Sequence, residues 1–466
     1  MKFLILEEIY AKGKMRMDNS VVYEVALSGS DPVGVLYSNG NCYLRAVSSE
    51  KEKECREMIE SGFISALMDK GLIPETSLLK KDEIPPQLSN FKLVLVHRAI
   101  SPVIYPREMS FEMIRSAILC FFDVVEVALS YGYVCKDSHL FNIVFDGTKP
   151  VWVDIGSFEK KKGEKSQLPW LESFLAGTLF PVKMWADCSE FMASRLLSSP
   201  TENLSSNEAL LYQYCMLRGS SKYKQKIRKI FLRAFSIVKK NNAKNPGNYL
   251  LSLKKQVSTM KCCDQSAWGN YHNEYFDNNG KIKKDTRFTR ISELLENYSP
   301  KSILELAGNA GIFSEIIRNK FKDIRVICTD YDSKAIDSMY KRVVKAKGEN
   351  FFCAKLNFME TEYSSAEIFP DKRFKSDCVF ALAITHHLLL MQKYTYDQVF
   401  KTINAYSSRL VFIEFMPLGL WSGNSSLPLP DWYSQQSFEK AFCNYFDLEL
   451  IEPLEVNRVL FIGRVR

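Results

Sequence analysis

At 466 residues the chain exceeds what one hydrophobic core usually organises, so two domains are expected. Its 46% hydrophobic and 25% charged residues are those of an ordinary soluble protein, and a net charge of +8 is mild, suiting either an anionic partner or a lysine-rich solvated surface. The longest apolar stretch, residues 117–129, is broken by Asp123 and Glu126, and Glu7 and Glu8 interrupt the N-terminal apolar run. Neither a transmembrane helix, which needs ~20 apolar residues, nor a signal peptide is therefore expected, and the chain reads as cytoplasmic. The 12 cysteines are scattered, with no Cys-x-x-Cys pair and no histidine at zinc spacing, which predicts free buried thiols.

In chain order, short β-like runs at 21–27, 33–37 and 42–47, separated by Gly, Ser and Asn, predict a meander of hairpins. A helix-compatible stretch, 50–70, ends before Gly71, and 91–96 reads as a further strand. The mostly apolar helix 111–130 must be buried, and strand-like runs follow at 142–145 and 150–153. Residues 165–255 read as helical with a basic cluster at 222–233, and the loop KKNNAKNPGN at 239–248 suggests units of 1–255 and 256–466. From about residue 281 strand and helix alternate, the pattern of a parallel α/β sheet.

The run SILELAGNAGIFS, Ser302 to Ser314, is the most informative segment. Ile303 to Leu306 form an apolar strand, and Ala307, Gly308, Ala310 and Gly311 make a tight turn around Asn309. Ile312, Phe313, Ile316 and Ile317 then recur at helical spacing. Strand, small-residue turn and helix together let backbone N–H groups approach a nucleotide-like ligand closely. A second strand, 324–329, ends in Asp330, 19 residues past Gly311, where a carboxylate can accept both hydroxyls of a ribose. A purely structural βα turn is the alternative. Glu305 at the strand end, and the incomplete G-x-G-x-x-G pattern, separate the segment from a nicotinamide site.

These residues resemble the first motifs of the class I S-adenosylmethionine-dependent methyltransferases, with Ala307 and Asn309 in place of two usual glycines. The resemblance implies a Rossmann-like, seven-stranded and mostly parallel sheet. It also implies cofactor contacts from Glu305, Ala307, Gly308, Asn309, Gly311, Asp330 and Tyr331, with Asn357 at the adenine. Trp268 and Tyr271 belong to an aromatic stretch that would either fold over the cofactor or pack a domain seam. Strand 377–383 leads into Ile384-Thr-His-His-Leu388, the end that faces the acceptor, and strand 410–415 carries Glu414. Runs 446–451 and 458–462 suit the closing antiparallel pair. The sulfonium is already electrophilic, so the protein mainly aligns donor and acceptor. A hydroxyl acceptor profits from a base; His386 or His387 is the first candidate and Glu414 the second, against structural roles for each. The N-P-P-Y signature of nucleic-acid amino-methylating enzymes is absent, which points away from a nucleic-acid substrate.

The first half carries another constellation. Asp137 and Asn142 are spaced as in the kinase catalytic loop H-R-D-x-x-x-x-N, and Asp154-Ile-Gly156 stands where D-F-G stands. This resembles an α+β kinase-like domain, with Asn142 and Asp154 as magnesium ligands and ATP as cosubstrate if it is active. No glycine-rich phosphate loop is evident, and Arg45 occupies the strand position of the usual lysine, with Glu57 or Glu60 as its helix partner. A degenerate domain serving as scaffold or substrate-binding module is the expectation.

Together the halves resemble the NoeA-like family of two-part nodulation-protein methyltransferases. The matching segments run from Leu72-Ile-Pro74 and Ile104-Tyr-Pro106 through Lys136-Asp137, Asp154, the 304–309 turn, Thr329-Asp-Tyr-Asp332 and the histidine pair to Ile413-Glu-Phe415 and Phe438-Glu-Lys-Ala-Phe442. In parts the chain is also similar to enzymes that phosphorylate and methylate O-antigen ends, with the domain order reversed. The resemblance implies O-methylation of a saccharide or phosphosaccharide. A bifunctional kinase–methyltransferase and a non-catalytic binding protein are the alternatives.

Overall fold

The computed structural model describes residues 24–27, 33–38, 42–161, 168–187, 190–198, 246–262, 275, 282–283, 285–360, 368–421, 423 and 428–466. Trp268, Tyr271 and the basic cluster at 222–233 lie outside the described residues. The chain divides into two compact units, one of Met1–Phe145 and Pro150–Asp264, the other of Asp146–Lys149 and Gln265–Arg466. The expected 255/256 junction falls inside the helix Pro246–Thr259, whose Lys254 pairs with Asp123 of the helix Phe111–Ser130 at 2.5 Å.

In the first unit, strands β1 (Glu24–Leu27), β2 (Gly34–Ser38), β3 (Cys42–Val47), β4 (Thr76–Leu78) and β5 (Val94–Arg98) form an antiparallel sheet of order β1-β2-β3-β5-β4. Alternation on β3 puts Cys42, Leu44 and Ala46 on one face, where they pack with Leu79, Leu88, Val94 and Val96. The stretch read as one helix is two, Glu52–Glu60 and Phe63–Asp69, because Gly62 sits between them at φ +78°, a left-handed turn that glycine takes without strain. The Phe111–Ser130 helix is buried as its composition requires, with Phe121 packed against Trp152, Trp170 and Phe174. Two short ladders follow: β6 (Tyr133–Cys135) with β9 (Phe158–Lys160), and β7 (Ile143–Asp146) with β8 (Lys149–Trp152).

The second unit is built on β10 (Ser302–Glu305), β11 (Arg325–Asp330), β12 (Phe351–Lys355), β13 (Ser376–Ala381), β14 (Ser407–Phe415), β15 (Phe446–Glu455) and β16 (Arg458–Val465). Their order is β12-β11-β10-β13-β14-β16-β15. The first five are parallel, and β16 enters antiparallel between β14 and β15. Near-continuous burial along β10, β13 and β14 reflects helices on both faces of a parallel sheet. An aromatic row, Phe288–Phe313–Phe380–Phe412, joins the preceding helix Thr286–Glu296 to three of the elements that carry the site, with centroids 4.8–5.4 Å apart.

Among the described residues all nine cysteines are free thiols, and no helix is long and apolar enough to cross a membrane.

Candidate functional site

The turn after β10 is made by three left-handed residues, Ala307 (φ +53°), Asn309 (φ +49°) and Gly311 (φ +71°). Asparagine tolerates this region because its side chain bonds locally, here Oδ1 accepting from Ala310 N at 2.8 Å, whereas alanine is strained. Gly308 and Gly311 serve closeness: a Cβ would lie 2.6 Å from Cys328 Sγ at the first and 2.1 Å from Met339 Sδ at the second.

Glu305 lies beneath this turn. Its Oε2 accepts from the Ser314 amide at 3.1 Å and the Ser314 hydroxyl at 2.5 Å, so it fastens the helix Ile312–Lys320 to the strand. Burial raises its carboxyl to about 7 against the pull of Ser314, Cys328 and Arg287. A carboxyl whose folded pKa exceeds its unfolded value of 4.5 loses stability as pH rises between the two, and the full penalty stands above 7. Glu305→Gln, which keeps an acceptor for Ser314, is therefore expected to gain about 1–3 kcal/mol over the parent at pH 8 and nothing near pH 4. Urea unfolding at the two pH values checks this, and equal gains at both would refute it.

Asp330, at the end of β11, is buried and holds the turn in place: Oδ2 accepts from Asn309 N and Oδ1 from Asp332 N, each at 2.8 Å. Burial lifts its carboxyl to about 6. The Tyr331 amide adds a third backbone hydrogen bond, and a carboxylate, with about four acceptor sites, can still accept from a ribose hydroxyl. Beside it the Tyr331 ring is 61% exposed, and Asp332 caps the helix Ser333–Lys345. Asn357 is exposed just beyond β12, where Leu356 N bonds Asp330 O at 2.8 Å, and its Oδ1 takes Met359 N at 3.3 Å. The structure thus brings Glu305, the 307–311 turn, Asp330, Tyr331 and Asn357 to the carboxyl ends of adjacent parallel strands, where open α/β sheets bind ligands. A turn packed closely enough on β10 and β11 to exclude a Cβ at Gly308 and Gly311, with a buried acid at the next strand end, fits an adenosyl ligand.

On the other side of β10, β13 ends at Ala381, and Ala383 (φ +53°) leads into Thr385, His386 and His387. His386 is buried, its ring 4.2 Å from that of His387, and its Nδ1 has no hydrogen-bond partner among the described residues. Burial, then His387 and Arg458, lower its pKa to about 3, so it stays neutral in ordinary solution. His387 is half-buried, with Nδ1 3.2 Å from Met391 Sδ; burial lowers its pKa as well.

Glu414 differs from its expected role as a base. Its side chain is 0% exposed, with Oε1 3.0 Å from Arg287 Nε and Oε2 3.2 Å from Arg458 Nη1. Oε2 also accepts the Ala383 amide at 2.8 Å, and its carbonyl takes the Thr385 hydroxyl at 2.6 Å. A carboxylate so enclosed cannot reach an acceptor's proton; it positions the loop that carries His386. Arg458, and Arg287 in this role, were not legible as site residues, because nothing local in sequence pairs them with Glu414.

In the first unit Asp137 and Asn142 do meet: Asn142 Nδ2 donates to Asp137 Oδ2 at 3.0 Å, and Asp137 Oδ1 accepts from Ser138 N and His139 N. Asp154 caps the following turn, Oδ1 accepting from Gly156 N at 2.9 Å. The two segments adjoin through Cys135 Sγ and Ser157 Oγ, 3.4 Å apart. Arg45 is buried on β3 on the same face as His97, whose pKa burial and the Arg45 charge lower to about 3. Glu57 pairs with Lys160 at 2.9 Å rather than serving as the helix partner of Arg45. Among the described residues no three His, Cys, Asp or Glu side chains form a metal-binding group.

The strand order, with its single reversed strand β16 next to β14, and the turn–acid pair at the β10 and β11 ends define a Rossmann-like fold of the class I methyltransferase type. No protein-family profile matches the chain. It is similar to the nodulation protein NoeA of Rhizobium meliloti (strain 1021), 22% identical over 430 residues, covering 84% of this chain and 85% of that protein. Among solved structures it is similar to the PH0226 protein of Pyrococcus horikoshii OT3 at 18% identity and a TM-score of 0.33, over 42% of this chain and 99% of that one. It is also similar to the magnesium protoporphyrin IX methyltransferase of Synechocystis PCC 6803 at 10% identity and a TM-score of 0.29, over 44% of this chain and 100% of that one.

Proposed function

We propose that the second unit transfers a methyl group from S-adenosylmethionine to an oxygen of a saccharide or phosphosaccharide. The observation that carries the donor is the left-handed 307–311 turn anchored on buried Asp330 in a sheet whose β16 runs antiparallel beside β14, unlike a dinucleotide sheet. The cofactor supplies an electrophilic methyl group; the chain's own residues bind and orient. Asp330 would accept the ribose hydroxyls, Tyr331 and Asn357 border the adenine, and Ala307, Gly308, Asn309 and Gly311 admit the amino-acid end. Glu305 holds that turn through Ser314. His386, neutral and with a free Nδ1, orients the acceptor hydroxyl, and the less buried His387 is the better proton acceptor. Support for a saccharide acceptor comes from the resemblance to the nodulation-protein family.

Calorimetric titration with S-adenosylmethionine tests the donor: saturable heat is expected, and its absence sinks the enzyme reading in favour of a non-catalytic binding protein. Mass spectrometry of glycans from cells with and without the gene tests the acceptor; the expected difference is one methyl group, and identical spectra would overturn the saccharide assignment.

For the first unit the reading is a kinase-like domain that serves as scaffold or acceptor-binding module. The bifunctional reading, with ATP and magnesium at Asn142 and Asp154, is favoured by the Asp137–Asn142 contact and the adjoining Asp154 segment. On that reading magnesium and ATP raise the melting temperature of the parent and not of Asp154→Ala. No shift in the parent points to a module without nucleotide.

A further inference from the structure

We infer that Arg287 is a positioning residue that links the cofactor turn to the acceptor loop, so that filling the first reshapes the surroundings of His386. The inference rests on the methyltransferase reading and names a coupling within that site. Arg287 lies in the first turn of the helix Thr286–Glu296, fixed by Asp285, whose Oδ1 accepts Phe288 N at 2.8 Å. Its guanidinium carbon sits 4.4 Å from the centroid of the Phe288 ring, which in turn packs on Phe313 at 5.4 Å. Phe313 precedes Ser314, and Ser314 is bound through both its amide and its hydroxyl to Glu305 beneath the turn. The Arg287 charge also acts directly on the Glu305 carboxyl.

On its other side the same guanidinium pairs with Glu414, and Glu414 shapes residues 383–385 through the Ala383 amide and the Thr385 hydroxyl. One cation therefore answers to two buried carboxylates, one under the donor turn and one behind the acceptor loop.

The pair is poised rather than locked. Arg287 Nε and Glu414 Oε1 lie 3.0 Å apart, yet neither makes an aligned hydrogen bond, and His386 Nδ1 is likewise unsatisfied. A buried ion pair gains from aligned hydrogen bonds, so a small shift that aligns Arg287 Nε with Glu414 Oε1 is favoured. A sulfonium ligand at the turn favours the ionised form of Glu305, which draws on the same guanidinium. The pull is relayed through Glu414 to Ala383, whose left-handed backbone leaves it few alternatives.

The test needs no acceptor. Histidine ring resonances are recorded in the full chain with and without S-adenosylmethionine, and His386 is assigned by its loss in His386→Asn. In the parent, the cofactor is expected to shift the His386 signals. In Arg287→Met, cofactor affinity should stay within about tenfold of the parent while the His386 response disappears. Arg287→Lys, which keeps the charge without the planar fork, should recover part of the response and serves as the test variant if Arg287→Met does not fold. A full response in the variant, or none in a parent that binds the cofactor, overturns the coupling. A parent that binds no cofactor overturns the methyltransferase reading itself, and the coupling with it.

Discussion

Glu414→Ala is expected to destabilise the second unit by about 3–5 kcal/mol, the usual effect of removing one partner from a buried ion pair. The carboxylate is fully enclosed, and both cations that face it are largely buried: Arg287 side-chain exposure is 6% and that of Arg458 is 17%. Arg458 retains Glu455 at 2.9 Å, so most of the loss falls on Arg287 and on the Ala383 amide, whose acceptor vanishes. Glu414→Gln keeps an acceptor for that amide and loses only the charge, so it should lie between parent and alanine variant. Replacing both partners, Arg287→Met with Glu414→Leu, should restore much of the stability, because no unpaired charge is then buried. Urea unfolding of the three variants decides the matter; a loss below about 1 kcal/mol for Glu414→Ala would mean that the cluster is already reached by water.

Asp330→Ala is expected to weaken S-adenosylmethionine binding at least about 100-fold, or about 2.7 kcal/mol. Two effects add. Hydrogen bonds from ribose hydroxyls to a charged acceptor contribute about 1.5–3 kcal/mol each. The same carboxylate also anchors the Asn309 and Asp332 amides, so the turn itself loosens when it is removed. Burial raises the Asp330 carboxyl to about 6, and a cationic ligand bearing hydroxyl donors selects the ionised form. Protonation therefore competes with binding: affinity should be level above about pH 7 and fall about tenfold per unit well below pH 6. Asp330→Asn should bind weakly with a flatter pH profile. Calorimetry between pH 5 and 8 provides the check, and a dissociation constant within about threefold of the parent in Asp330→Ala would exclude the ribose role.

Much of the strand–turn–helix segment and the acid after it was legible because its signals are local. An apolar strand, a run of small residues and a helical apolar period follow one another within Ser302 to Ser314, and the next strand end supplies the acid. The long helix Phe111–Ser130 was likewise readable, since an apolar stretch of that length can only be buried. The split at Gly62 and the three-residue strand β4 were not, because the first depends on one backbone angle and the second on a partner strand distant in sequence.

The ends of β13 and β14 show the limit from the opposite direction. His386 and His387 stood out as rare residues at a strand end, yet their sequence is silent on which is buried and which has a ring nitrogen without a partner. Glu414 suited a base by type and position and turned out to be a bolt between two arginines. By itself the sequence determined the order of strands and helices in the second unit, the place of the glycine-containing turn and the acid one strand on, since these follow from backbone preference and periodicity. Only the tertiary structure decided which carboxylate is held by backbone amides and which is sealed by charge, because Arg287, Glu414 and Arg458 become neighbours solely through the register of β14 with β16 and the packing of the preceding helix. Pairing is a property of the folded chain, and it separates Asp330 from Glu414, both buried, where composition could not.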